Sequence, residues 1–263
     1  MGDAESLIIE RRGPVLWMTV NRPERRNAYT GDLFHRMIAT LSEAENDSAV
    51  LAVVLTGAGD LAFSTGADLK PDTEYSPLKM GEGELVHPAV AYFRAADAFT
   101  KPLIARVNGD AMAGGMGVLS MCDLAVAADH ARFALREVRI GLFPTVIVAS
   151  LRRLLPRRIV MEMALTGGFF DAAFAKEVGL VNYVVPVEQL DAKLDWLTSR
   201  ITDKSPTAVR RGKHAMHHMW EMTLDGSFAF GQDELTHLFN SADHKEGVAA
   251  FNEKRKPVWP SLA

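Results

Sequence analysis

Two short runs, VLAVVLTG (50–57) and PLIARVNG (102–109), limit this chain more than any other feature, because apolar residues fill successive positions in both. A strand with one face in water alternates apolar and polar side chains; a strand covered on both faces does not. Such strands belong in a parallel sheet sandwiched between other layers. DLAVAAD (123–129) reads as a third strand. Helical text lies between them. One stretch runs from Asp32 to about Glu45 with Leu33, Met37, Ile38 and Leu41 on one face. A second covers Ala89 to Phe99, and a third, AGGMGVLSMC, starts on glycines. At the start of the chain LIIE and VLWMTV flank an RRGP turn, the pattern of a β-hairpin. Alternating strands and helices predict α/β layers. The Gly- and Pro-containing connection 71–88 predicts no element.

After VNYVVP the pattern becomes helical: 188–202, 206–222, 225–239 and 244–254. The change divides the chain into an expected core, 1–190, and a helical region, 191–263. The second part carries several apolar faces and few partners of its own, so it is expected to dock on another subunit. With 48% hydrophobic and 24% charged residues among 263, the chain can build a substantial core. A formal net charge of −4 gives no general attraction to nucleic acid or anionic membrane. Cys122 is the only cysteine, which excludes an internal disulfide and suits a reducing compartment. In its apolar segment it is a poor nucleophile. The N-terminus lacks the pattern of a signal peptide, and no apolar run approaches the ~20 residues that span a bilayer. A soluble, cytoplasmic protein is expected.

Two loops are built for backbone chemistry. FSTGADLK follows a strand with Gly66, Ala67 and Asp68, and GDAMAGGMG places Gly114 and Gly115 at the start of a helix. Free N–H groups at a helix start favour developing negative charge, and small residues let a ligand carbonyl approach. Two readings stand for each loop alone: tight helix–strand packing, or one half of an oxyanion hole.

The segment KPLIARVNGDAMAGGMGVLSMCDLAVAADHARFALREVRIGLFP resembles the signature region of the enoyl-CoA hydratase/isomerase, or crotonase, superfamily. So do NRPERRNAY, LTGAGDLAFSTGADLK, LTGGFFDAAFAKEVGLVNYVVP and EGVAAFNEKRKPVW, and the order and spacing of five blocks argue against chance. The resemblance implies a crotonase-type ββα spiral core followed by helices that pack between subunits, in a trimer or a dimer of trimers. It implies an acyl-CoA thioester substrate with no metal or redox cofactor, and the net charge adds the expectation of no nucleic acid or membrane as partner. The implied oxyanion donors are the amides of Ala67 and Gly114. Ala67, Asp68, Leu69 and Lys70 would run along the CoA moiety, and Lys254 matches a family lysine that reaches CoA. Two-glutamate hydratases carry their first catalytic glutamate where Gly117 stands here. Their second falls on Glu137, which the resemblance makes the general acid/base. The surrounding residues, including the run Pro144 to Ile147, are similar to one-glutamate hydratases of the methylglutaconyl-CoA and isohexenylglutaconyl-CoA type. Hydration of a 2-enoyl-CoA is therefore expected, with Δ3–Δ2 isomerisation by the same glutamate as the alternative.

From the residues alone, Glu137 also reads as a surface carboxylate paired with Arg136 or Arg139. An RNA-binding relative is a remote alternative, resting on RRLLPRR (152–158) and RRGKHAMHH (210–218), but no aromatic residues alternate with these basics. A serine hydrolase would need Ser64 or Ser120 activated by a histidine, and neither lies in GxSxG. Helical spacing allows His214, His217 and His218 a metal, with no carboxylate or cysteine to complete the set. Tyr75 and His87 are candidates for the acyl pocket.

Overall fold

The computed structural model describes residues 6–69, 83 and 85–262. The hairpin joins β1 (Leu7–Arg12) and β2 (Val15–Val20), and its turn places Gly13 at φ +59°. Helix α1 (Gly31–Asn46) follows, capped by the Thr30 side chain, which accepts from Leu33 N–H. Strands β3 (Ala52–Gly57) and β4 (Ala62–Ser64) lead to α2 (Pro88–Ala98). Strands β5 (Leu103–Val107) and β6 (Asp110–Met112) lead to α3 (Gly114–Ser120). The fourth unit has β7 (Leu124–Ala128), β8 (Arg132–Ala134), a 3-10 turn over Glu137–Ile140 and α4 (Thr145–Leu151). The ββα unit thus recurs along a spiral.

Helix α5 (Arg157–Thr166), β9 (Phe170–Asp171), α6 (Ala172–Glu177) and β10 (Tyr183–Val185) complete the core sheets. One sheet has six strands in the order β1-β2-β3-β5-β7-β10, parallel except for the opening hairpin; the other has the order β4-β6-β8-β9, with β9 antiparallel.

All six residues of β3 are buried, as its two-sided apolar text predicts. Val53 and Leu55 face the main core with Met37, Leu41, Tyr92 and Met116, while Ala52 and Val54 face the other way. That second face is covered by α7 (Leu190–Thr202), through Leu190, Leu194 and Leu197. The change of sequence pattern near 190 therefore precedes the change in packing, which comes after α7. Helices α8 (Pro206–Met219), α9 (Leu224–Phe239) and α10 (Ala242–Asn252) carry few buried residues, and α9 has none. No helix among the described residues is long and apolar enough to cross a membrane.

The second sheet is where the structure adds most to the sequence reading. Strands β4, β6 and β8 span three residues each and lie side by side in parallel. Their C-terminal ends open onto the same edge.

Candidate active site

Each of those three strand ends delivers one of the expected residues. Strand β4 runs into Gly66 and Ala67, β6 into Gly114, and β8 into Glu137. The adjacent ends are tied together, since Ala113 N–H donates to Ala134 O at 2.9 Å. Sequence positions 67, 114 and 137 thereby become neighbours.

The two glycine loops touch. Gly66 has φ +90°, and a Cβ built on it would stand 2.6 Å from Gly114 N; one on Gly114 would stand 3.6 Å from Ala67 N. At position 66 only a residue without a side chain allows that approach. Among the described residues, the N–H groups of Ala67 and Gly114 have no backbone acceptor. For Gly114 the reason is its place at the start of α3. For Ala67 it is the bridge to Tyr29, which uses the atoms on either side: Tyr29 N–H donates to Gly66 O, and Asp68 N–H donates to Tyr29 O. Ala113, before the helix, has φ +48° and ψ −122°, a conformation that strains any residue but glycine. Such strain accumulates where backbone direction matters.

Glu137 begins its 3-10 turn, half-buried, and its Oε2 is buried without a hydrogen-bond partner among the described residues. Burial raises its pKa above the ordinary carboxylate value, partly offset by its own backbone N–H. The surface-pair alternative fails at Arg136, whose guanidinium stacks over Phe169 and whose Nη1 donates to Gly167 O at 3.3 Å. The arrangement offers two amide donors without backbone acceptors among the described residues and one carboxyl group whose pKa burial raises.

The space beside Gly117 is apolar. A Cβ there would lie 2.6 Å from Phe93 Cζ and 3.1 Å from Ile147 Cγ1. Phe93 and Ile147 occupy the side where a second glutamate would extend.

The remaining candidates separate. The Asp68 carboxylate is buried on Arg22, at 2.7 Å, rather than turned to a ligand. Leu69 is exposed, Lys254 is exposed just beyond α10, and Lys70 and Tyr75 lie outside the described residues. His87 caps α2, its Nδ1 accepting from Ala89 N–H. Ser64 is buried and accepts from Gly66 N–H, while Ser120 bonds Gly117 O and the Ser150 hydroxyl. Burial raises the Cys122 thiol's pKa, and its Sγ is directed to Val118 O.

Basic residues of the run 210–218 pair with carboxylates: Arg210 with Glu45, Arg211 with Glu234, Lys213 with Asp123, and His217 between Asp97 and Asp123. The three histidines do not converge, since His214 and His218 bond each other. No group of three or more His, Cys, Asp or Glu suited to a metal occurs among the described residues.

A sequence model described as enoyl-CoA hydratase/isomerase matches residues 10–261. The chain belongs to the enoyl-CoA hydratase/isomerase family. Among its curated relatives is the short-chain-enoyl-CoA hydratase of Clostridium acetobutylicum, 33% identical over 255 residues, which are 97% of either chain. A probable enoyl-CoA hydratase of Rhizobium meliloti is 35% identical over 253 residues, 96% of either chain. The crystal structure of an enoyl-CoA hydratase from Mycobacterium smegmatis superposes with a TM-score of 0.89 at 33% identity, covering 97% of this chain and 98% of that one. The crotonase-type fold expected from the sequence is therefore present along nearly the whole chain.

Proposed function

We propose that the chain binds an acyl-CoA thioester and adds water to a 2-enoyl-CoA. The Glu137 carboxylate takes a proton from water as its oxygen bonds to C3. The electron pair of the C2–C3 double bond moves toward the thioester, whose oxygen gains negative charge against the N–H groups of Ala67 and Gly114. Protonated Glu137 then delivers its proton to C2, so the product is heavier by one water. The observation that carries this reading is that three adjacent parallel strands lead into the three residues, with Glu137 Oε2 buried and the two amides without acceptors among the described residues. Names of the relatives, hydratases over the full length, support it.

In this reading Leu69, Lys70 and Lys254 contact CoA, and no metal or redox cofactor takes part. The single glutamate and Gly117 support a reading of the chain as a one-glutamate hydratase. Isomerisation of a 3-enoyl-CoA is the second reading, favoured by the apolar wall of Phe93 and Ile147 at Gly117, which offers no second carboxylate to hold water. A panel of straight, branched and aromatic 2-enoyl- and 3-enoyl-CoA thioesters, with products resolved by mass, separates the two. Hydration adds one water, isomerisation leaves the mass unchanged, and no product from any member contradicts both.

The protein works as a trimer or a dimer of trimers in this account. Support comes from the apolar faces of the last helices, where Trp220, Phe228 and Phe251 are 67%, 67% and 83% exposed. The lone buried cysteine fits a reducing cytoplasm.

A further inference from the structure

Asp68 follows the proposed oxyanion donor directly, yet its side chain is 5% exposed and faces Arg22, itself only 16% exposed. We propose that Arg22 and Asp68 are a positioning pair that aims the Ala67 N–H at the thioester oxygen, with Asn27 as their anchor. This rests on the reading of Ala67 as an oxyanion donor.

The residues around Ala67 are clamped to the segment 26–29. Thr65 N–H donates to Arg26 O at 3.2 Å, Tyr29 N–H to Gly66 O at 2.7 Å, and Asp68 N–H to Tyr29 O at 2.9 Å. That segment is fixed in turn by Asn27, 1% exposed and at φ +56°. Its Nδ2 donates to Ala58 O at 3.0 Å and Ala62 O at 2.7 Å, and its Oδ1 accepts from Arg22 N–H at 3.1 Å. Arg22 then closes the circuit. Its Nη1 donates to Ala28 O at 2.6 Å and its Nη2 to Asp68 Oδ2 at 2.7 Å. The guanidinium fork thus spans the template segment and the residue after Ala67, a task that suits arginine's planar, two-pronged geometry.

Charge gives the pair a second duty. An uncompensated carboxylate one residue from Ala67 would oppose the negative charge that develops on the thioester oxygen. Arg22 cancels it. A purely structural ion pair would hold the loop equally in substrate and transition state. A positioning pair acts most on the charged state, so its loss lowers kcat and leaves KM nearly unchanged.

The test uses acetoacetyl-CoA, whose enolate absorbs in the near ultraviolet, on the full-length protein. Calorimetric Kd is measured beside the enolate band, and kcat and KM are measured with the 2-enoyl-CoA turned over fastest. Arg22→Gln is expected to lower kcat by about 10–100-fold and Asp68→Asn, which loses the clamp but keeps the cation, by less, both weakening the enolate band and leaving Kd and KM within about threefold. Arg22→Lys, which keeps the charge without the fork, is expected to recover part of the loss. Where Arg22→Gln does not fold, Asp68→Asn decides alone. An unchanged band and kcat, or a fall in kcat that only follows the folded fraction, overturns the positioning role. A wild-type complex without the enolate band overturns the oxyanion reading itself, and the pair's role with it.

Discussion

Glu137 holds its proton to higher pH in the folded protein than in the unfolded chain, because burial penalises its charged form and its Oε2 finds no hydrogen-bond partner among the described residues. Between its ordinary pKa of 4.5 and the raised value, the folded state binds more protons than the unfolded state. Stability therefore falls as pH rises through that window. Glu137→Gln removes the cost, so its Tm should match wild type at about pH 4 and exceed it at about pH 8 by calorimetry. A constant difference across that range would mean that the carboxyl is not destabilised by burial. Gly117→Glu, which would restore a second carboxylate, must displace the Phe93 ring and bury a charge against Ile147. Overpacking alone costs about 1–3 kcal/mol, so a lowered Tm and no gain in hydration are expected. Glu137 and Gly117 were legible because both lie within long matching motifs. The direction of Asp68 was not, because a loop residue has no periodicity that tells its buried side from its exposed one.

At the scale of elements, the site is an edge of three short parallel strands. Strands β3 and β5 declared themselves through apolar side chains on both faces. Strands β4, β6 and β8, three residues each, are too short to show any period, so the sheet that gathers the candidate catalytic groups was invisible beforehand. Its geometry depends on the contact between Gly66 and Gly114. Gly66→Ala adds a methyl 2.6 Å from Gly114 N at φ +90°. It should cost about 1–3 kcal/mol of stability and reduce turnover, by pushing the two amides apart. Denaturant unfolding and steady-state kinetics check both effects, and a variant with wild-type turnover would show that the spacing of the loops does not matter.

Across the whole molecule, the basic run of α8 fastens the last helices to the core. Lys213 is nearly buried on Asp123, at 2.7 Å. Lys213→Met removes the nearer cation of Asp123 and leaves it to His217 and the Leu103 N–H, so the loss is expected at about 1–3 kcal/mol, readable as a lower urea midpoint. The exposed apolar face of α9 has a separate consequence. Phe228→Asp should shift sedimentation toward smaller species, and a wild-type protein that is monomeric at micromolar concentration would contradict the proposed assembly. The helical tail was legible as helices but not in its attachment, since sequence periodicity shows an apolar face without showing what covers it. The account's central claim joins all three scales: two backbone amides hold the charge, and Glu137 alone moves the proton. Its most direct test is turnover by Glu137→Gln with acyl-CoA affinity measured alongside. The account predicts a loss of ~10²–10⁴-fold in kcat with binding retained, and full turnover by that variant would contradict it.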